Sequence, residues 1–474
     1  MGVGRRKAGA RRMTLHCNRK SLWILVALPA LACNTSTGFV LKPADAALDA
    51  VRPATPPPFW WGVAVSSFQT EEPSDHGGNA VLTDWDLFEK KKGSPARDAR
   101  VASFSQFERD LAALKYLGVT HFRYSVEWAR VEPSPGVTDE NALNHYVTMA
   151  RRLREEGIEP IVCLWHFTFP SWLCDFDHPS RHGWLHPDAP AAWERFVRTV
   201  ASRLAADVQL FAPQNEPNMY ATAVAMGIFP PGRSRSKSYY DRLTAREVEM
   251  FLRAAAIVRE SRPDAKMLSI QNIIHFERDA FDLLGTWFDM AQEQKYLHLD
   301  GIASAVDYVG MNYYQREVAS PLAPWAQSHR KGDDVSDLGW IIDPEALEEE
   351  IVLLSRRYKK PIVIMENGIA DATDQKRPAY LHGHLKAIRR TLDAGYDVRG
   401  YFHWSLVDNY EWMHGYDAKF GLFAVAAPSK PLVPKASAEL YRSLIAGRVM
   451  NPDVAFPELP AATEKVVDSQ ISPK

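Results

Sequence analysis

PEALEEEIVLLSRRYKKPIVIMEN, residues 344–367, holds both halves of the fold in one line. Pro344 to Tyr358 has the apolar spacing of an amphipathic helix, and Pro361 to Met365 is a short apolar run that reads as a strand. The strand pattern stops at Glu366 and Asn367, two polar residues where a strand would emerge.

Working outward, the same alternation repeats. Further apolar runs lie at Trp60 to Ser66, His121 to Trp128, Pro160 to Trp165, Val208 to Pro213, Lys266 to Ile270, Tyr308 to Tyr313 and Val398 to Trp404. Helical patterns run from Phe104 to Leu117, Asn141 to Glu156, Ala191 to Ala205, Ala245 to Glu260 and Tyr380 to Ala394. Apolar strands alternating with helices imply an α/β fold with a parallel sheet covered on both faces. Eight repeats predict closure into a single (β/α)8 TIM barrel over 59–450. The rival, a doubly wound open sheet, wants a Gly-rich phosphate loop after its first strand, and that position has none.

The ends of the chain read differently. Arg5, Arg6, Lys7, Arg11, Arg12, Arg19 and Lys20 precede the apolar stretch Leu22 to Leu31, then Ala30-Leu31-Ala32 offers a small-residue cleavage pattern before Cys33. Residues 1–33 are therefore expected to be a targeting segment. Lipidation of Cys33, simple cleavage and an uncleaved anchor are its three readings, the first giving a membrane tether and an extracytoplasmic location. Residues 34–58, rich in Ala and Pro, are expected to be a linker, and 451–474 a polar tail.

The 474 residues carry a formal net charge of -2, which argues against nucleic acid or an anionic membrane surface as partner. Four cysteines do not make a disulfide framework, and no Cys/His cluster has metal-ligand spacing. No metal and no cofactor are expected. The 14 Trp fit a sugar cleft or an aromatic core equally well.

Unusual polar residues gather at the strand ends, where a barrel carries its chemistry. Gln69 follows the first run, His166 the third, Asn215 and Glu216 the fourth; Asn312 to Tyr314 close the sixth, Glu366 the seventh and Trp404 the eighth, with Arg123 inside the second. Glycoside cleavage needs one protonated and one ionised carboxyl across the scissile bond. Glu216 and Glu366 are the candidates. Arg123 and Tyr314 would keep Glu366 ionised, although register leaves open whether Tyr313 or Tyr314 points inward. Trp412 reads equally as core or as site.

The motifs then fall into a known order. Phe59 to Ala64 with Ser66 to Glu71, Phe122 to Trp128, Asn215-Glu216-Pro217, Glu366-Asn367-Gly368, and Trp404-Ser405-Leu406 through Asp408 to Trp412 resemble glycoside hydrolase family 1, the β-glucosidase family. The resemblance covers about Phe59 to Arg448. It implies a retaining exo-β-glycosidase with Glu366 as nucleophile and Glu216 as acid/base. It also implies Gln69, His166, Asn215 and Glu411 hydrogen-bonding the sugar and Trp404 beneath it, whether the substrate is a small β-glycoside or an oligosaccharide. Asn312, by its strand end, and Trp412, within the last motif, are further candidates for substrate binding. The chain departs from the pattern at Glu71-Glu72, at Phe167 and at Met365. An endo-acting glycanase of a related barrel family and a noncatalytic sugar-binding surface protein are the alternatives. The preferred sugar, the aglycone and the oligomeric state are not written in the sequence.

Overall fold

The structure, a computed structural model, describes residues 57–93, 97–232, 236–320 and 332–459. The targeting segment and nearly all of the linker lie outside the described residues.

Eight parallel strands form a closed barrel: β1 Trp60–Ala64, β2 His121–Ser125, β3 Glu159–Cys163, β4 Leu210–Ala212, β5 from Lys266–Met267 to Gln271–Asn272, β6 Val309–Asn312, β7 Ile362–Asn367 and β8 Val398–Trp404. Each pairs with its neighbour in chain order, and β1 pairs with β8, with Trp60 opposite Gly400 and Ala64 opposite Trp404. The fifth strand is interrupted at 268–270 and still closes the ring. Its first part pairs with β4 (Leu210 with Lys266), and its second part pairs with β6 (Asn312 with Asn272). Leu268 bridges to Tyr308 between them. The expected barrel is borne out.

A strand buried on both faces is largely apolar, and β6 and β7 are buried at every position, with polar residues only at their ends, Asn312 and Glu366-Asn367. Their side chains alternate between two cores. Ile161, Cys163, Leu210, Ala212, Leu268, Ile270, Val363, Met365 and Phe402 fill the barrel. Phe122, Val162, Phe211, Met267, Ile362 and Ile364 face the helices instead. Strict alternation would send Glu366 outward with Ile362 and Ile364. A register shift prevents it: Ile364 opposes Met311, yet Glu366 opposes Asn312. The same extra residue appears against β8, where Ile364 meets Tyr401 and Asn367 meets His403. A bulge of this kind re-aims a side chain at the rim of a barrel.

Helices at Phe107–Leu117, Glu140–Glu155, Ala189–Leu204, Pro344–Tyr358 and Arg377–Asp393 fall within a few residues of expectation. The helix expected over Ala245 to Glu260 is Lys237–Ser261, starting earlier because the Ser236 hydroxyl caps it by accepting from Tyr239 N–H. The longer helices that were not anticipated are Asp84–Lys92 after β1, Pro217–Ala225 after β4, Thr286–Ile302 after β5 and Ala436–Ala446 after β8. The expected tail boundary after Met450 also moves. Arg389 donates to the carbonyls of Val449, Pro452 and Val454, and the His382 ring meets the Pro457 carbonyl at 2.7 Å. The chain to Pro457 therefore packs on the helix Arg377–Asp393.

Candidate active site

Glu366, turned into the barrel mouth by the bulge, is 4% exposed. One of its oxygens accepts from the Arg123 guanidinium, which rises from β2, and the other accepts from the Tyr314 hydroxyl. Tyr313 points the other way, donating to the Asp343 carbonyl at 2.8 Å. The register question is thereby answered in favour of Tyr314. Burial, then the charge of Glu366, holds the Tyr314 phenol well above its ordinary value, so it stays a donor. A carboxylate with a cation on one oxygen and a hydroxyl on the other is fixed in place for in-line attack.

Glu216 leaves β4 in a left-handed conformation, φ 41 and ψ 51, immediately before Pro217 opens the helix Pro217–Ala225. One of its oxygens accepts from the Asn312 amide at 2.7 Å and from the Asn272 amide at 3.1 Å. Burial and the neighbouring Glu366 carboxyl push its pKa up to about 8, against the pull of those two amides. It therefore holds its proton at neutral pH, as a general acid must.

One network spans both glutamates. The Arg123 guanidinium that binds Glu366 also donates to Asn215 Oδ1 at 2.5 Å, and the Asn312 amide that binds Glu216 lies 3.5 Å from the same oxygen. The Asn215 amide meets His166 Nε2 at 3.2 Å. Burial first, and Arg123 second, hold His166 well below its ordinary pKa, so its imidazole is neutral.

A second polar group stands at the end of β8. The Gln69 amide donates to Glu411 at 3.0 Å and to the Tyr410 carbonyl at 2.9 Å, while its oxygen accepts from Ser66 at 2.8 Å. Burial and then Glu366 raise Glu411 to about 8. Trp404 is 3% exposed, with its ring 5.9 Å from that of His166 and nearly parallel to it. Trp412 stacks on Phe68 at 5.4 Å and packs against Trp85, Phe167 and Phe229. It is thus held by an aromatic cluster as well as lying beside His166, with ring centroids 6.3 Å apart.

Compared with known proteins, the chain matches the model of glycosyl hydrolase family 1 over residues 52–264 and 287–450. The chain belongs to glycosyl hydrolase family 1. A bifunctional β-D-glucosidase/β-D-fucosidase from Bifidobacterium breve is 29% identical, over 82% of this chain and 98% of that one. A β-galactosidase from Pyrococcus woesei is 27% identical, over 82% and 97%. The crystal structure of the hyperthermophilic β-glucosidase from Pyrococcus furiosus superposes with a TM-score of 0.75 at 27% identity, covering 83% of this chain and 96% of that one.

This family 1 chain gathers at the barrel mouth the residues named for the two carboxyls and the sugar, and adds one that was missed. Asn272, which donates to Glu216, ends the interrupted fifth strand, the only barrel strand for which no candidate residue had been named. Its signal was the pair Gln271-Asn272 directly after the Lys266 to Ile270 run. The departures also find places. Met365 fills the barrel, Phe167 joins the cluster around Trp412, and Glu71 accepts from Tyr146 at 2.8 Å and pairs with Arg130 at 2.9 Å.

Gly368 explains the third residue of its motif. A Cβ there would stand 1.9 Å from the carbonyl oxygen of Trp404. The Gly368→Ala substitution must push β7 and β8 apart just where they carry Glu366 and Trp404. It is expected to cost about 1–3 kcal/mol of stability and to lower kcat in the protein that still folds. Thermal denaturation and kinetics on the purified variant check both.

Proposed function

We propose that this family 1 hydrolase removes the terminal non-reducing sugar from small or oligomeric β-glycosides by double displacement. Glu366 would act as nucleophile and Glu216 as acid/base. The observation that carries the reading is the single buried network joining an Arg123-bound Glu366 to a Glu216 raised to about 8.

In the first step a Glu366 oxygen bonds the anomeric carbon while the glycosidic C–O bond breaks, and the leaving oxygen takes the proton of Glu216. The ester removes the negative charge of Glu366, one of the two main causes holding Glu216 up, so its pKa falls. In the second step Glu216 takes a proton from water, the water oxygen bonds the anomeric carbon, and Glu366 is released. Two inversions give retention. Water is the only co-reactant the balance needs.

The Gln69–Glu411 pair supports exo action, because a buried carboxyl and amide offer hydrogen bonds to the hydroxyls of a terminal sugar, where an extended chain would need an open groove. A panel of aryl β-glycosides tests the reading, followed by the product pattern from a long β-linked oligosaccharide. Release of single sugars from the non-reducing end supports it. Silence on every aryl sugar, or internal fragments as first products, overturns it. We also infer that residues 1–33 direct export and that Cys33 is lipidated as a tether. A mature N-terminus of unmodified mass beginning elsewhere would contradict that reading.

A further inference from the structure

Asp84 is far in sequence from Cys174 and His182, which share one loop, and nothing in their spacing suggests a metal site. The fold assembles them. Asp84 opens the helix Asp84–Lys92 in the loop after β1, while Cys174 and His182 lie in the loop between β3 and the helix Ala189–Leu204. A carboxylate oxygen, the thiol sulfur and an imidazole nitrogen from the three residues all lie within 4.8 Å of one another. The Asp84 and His182 side chains are 0% and 1% exposed, with Asp84 Oδ2 3.5 Å from His182 Nε2.

The hydrogen-bond inventory points to a missing partner. Asp84 Oδ1 is satisfied, accepting from Phe169 N–H at 2.9 Å and Trp85 N–H at 3.0 Å. Asp84 Oδ2 meets His182 Nε2 at an ion-pair distance of 3.5 Å without a well-formed hydrogen bond, and the other ring nitrogen of His182 has no hydrogen-bond partner. Buried polar atoms left in this way are unfavourable, and a carboxylate is the worst case. The Cys174 thiol donates to the Pro170 carbonyl at 3.3 Å. Burial, then the nearby Asp84, holds its proton on.

We propose that Asp84 Oδ2, Cys174 Sγ and His182 together bind a zinc ion. Mixed oxygen, sulfur and nitrogen donors suit zinc, whereas calcium and magnesium take oxygen sets. Tetrahedral ligands at zinc distances stand roughly 3.3–3.8 Å from one another, so the Asp84–His182 separation already fits and the sulfur has only to draw in. On binding, the Cys174 proton leaves to solvent and a sulfur–metal bond replaces the bond to Pro170. The two backbone N–H groups on Oδ1 hold the carboxylate for monodentate ligation. A fourth position remains for water.

The ion would staple the loop after β1 to the loop after β3. Those loops meet again where the Trp85 indole donates to the Phe167 carbonyl at 3.2 Å, and both rings back Trp412. The zinc would stabilise the wall behind the sugar site and take no part in bond cleavage.

The test uses the full chain, stripped with EDTA, reloaded with Zn²⁺ alone and dialysed. Expected are one zinc per chain by mass spectrometry, a melting temperature several degrees above the stripped protein, and, with Co²⁺ instead, a thiolate-to-metal charge-transfer band. Cys174→Ser, close in shape to the native residue, loses the band and most of the retained zinc. His182→Gln loses the zinc as well. Wild-type protein that keeps no zinc, variants that keep as much as wild type, or a cobalt form without the thiolate band would each leave only an Asp84–His182 contact and overturn the proposal. None of these readouts depends on glycoside hydrolysis.

Discussion

Glu366→Ala is expected to lose turnover of every β-glycoside by on the order of 10⁴-fold or more. The Arg123 guanidinium and the Tyr314 hydroxyl that hold Glu366 would be left facing a cavity of carboxylate size. A small anion fits such a space, so azide should restore part of the rate by attacking the anomeric carbon from the nucleophile's side. With a single displacement remaining, the glycosyl azide carries inverted stereochemistry. A variant that keeps activity, or azide that restores it with a retained product, speaks against Glu366 as nucleophile.

Glu216→Gln separates the two steps. With a poor leaving group, loss of the proton donor is expected to lower kcat/KM by on the order of 10²–10⁴. An activated aryl glycoside needs little protonation and should still form the glycosyl-enzyme, which then waits for a base. The pH dependence carries the sharper test. Glu216 works in the first step as an acid and must be protonated, so activity is present below its pKa and declines as pH rises past about 8. Glu411 also sits near 8, so the wild-type alkaline limb alone does not name the group. In Glu216→Gln the limb should disappear for the activated substrate. In Glu411→Gln it should persist on a weaker binding background, with KM raised more than kcat is lowered. A Glu216→Gln profile that keeps the wild-type limb would assign that limb to another group.

Much of this was readable before any coordinate. Parallel strands are buried on both faces, so their apolar runs stand out, and a barrel collects its polar residues at one end of them. Glu216, Glu366 and their neighbours were legible for that reason. What the sequence concealed has physical causes. The helix Thr286–Ile302 turns Lys295 and His298 into the core beside Ala291, Leu299 and Ile302. Lys295 is paired with Glu350 at 2.8 Å, and His298 meets the Gln271 amide at 2.9 Å. Two polar residues on its buried face erase the apolar stripe by which a helix is recognised. Strand β5 is broken after Met267, so Asn272 fell beyond the run whose end it forms. The inward turn of Glu366 depends on a bulge, and a bulge leaves no mark in the alternation of residue types until the neighbouring strands are known. The choice between Tyr313 and Tyr314 is hidden likewise, since one residue of register exchanges them.

The most direct test is to trap the intermediate. Incubation with an activated 2-deoxy-2-fluoro β-glycoside slows the second step more than the first, and digestion with peptide mass spectrometry locates the sugar. The account predicts one fluorosugar per chain, esterified to Glu366, on wild type and on Glu216→Gln. A sugar on any other residue, or burst-free turnover with an inverted product and no adduct, would contradict it.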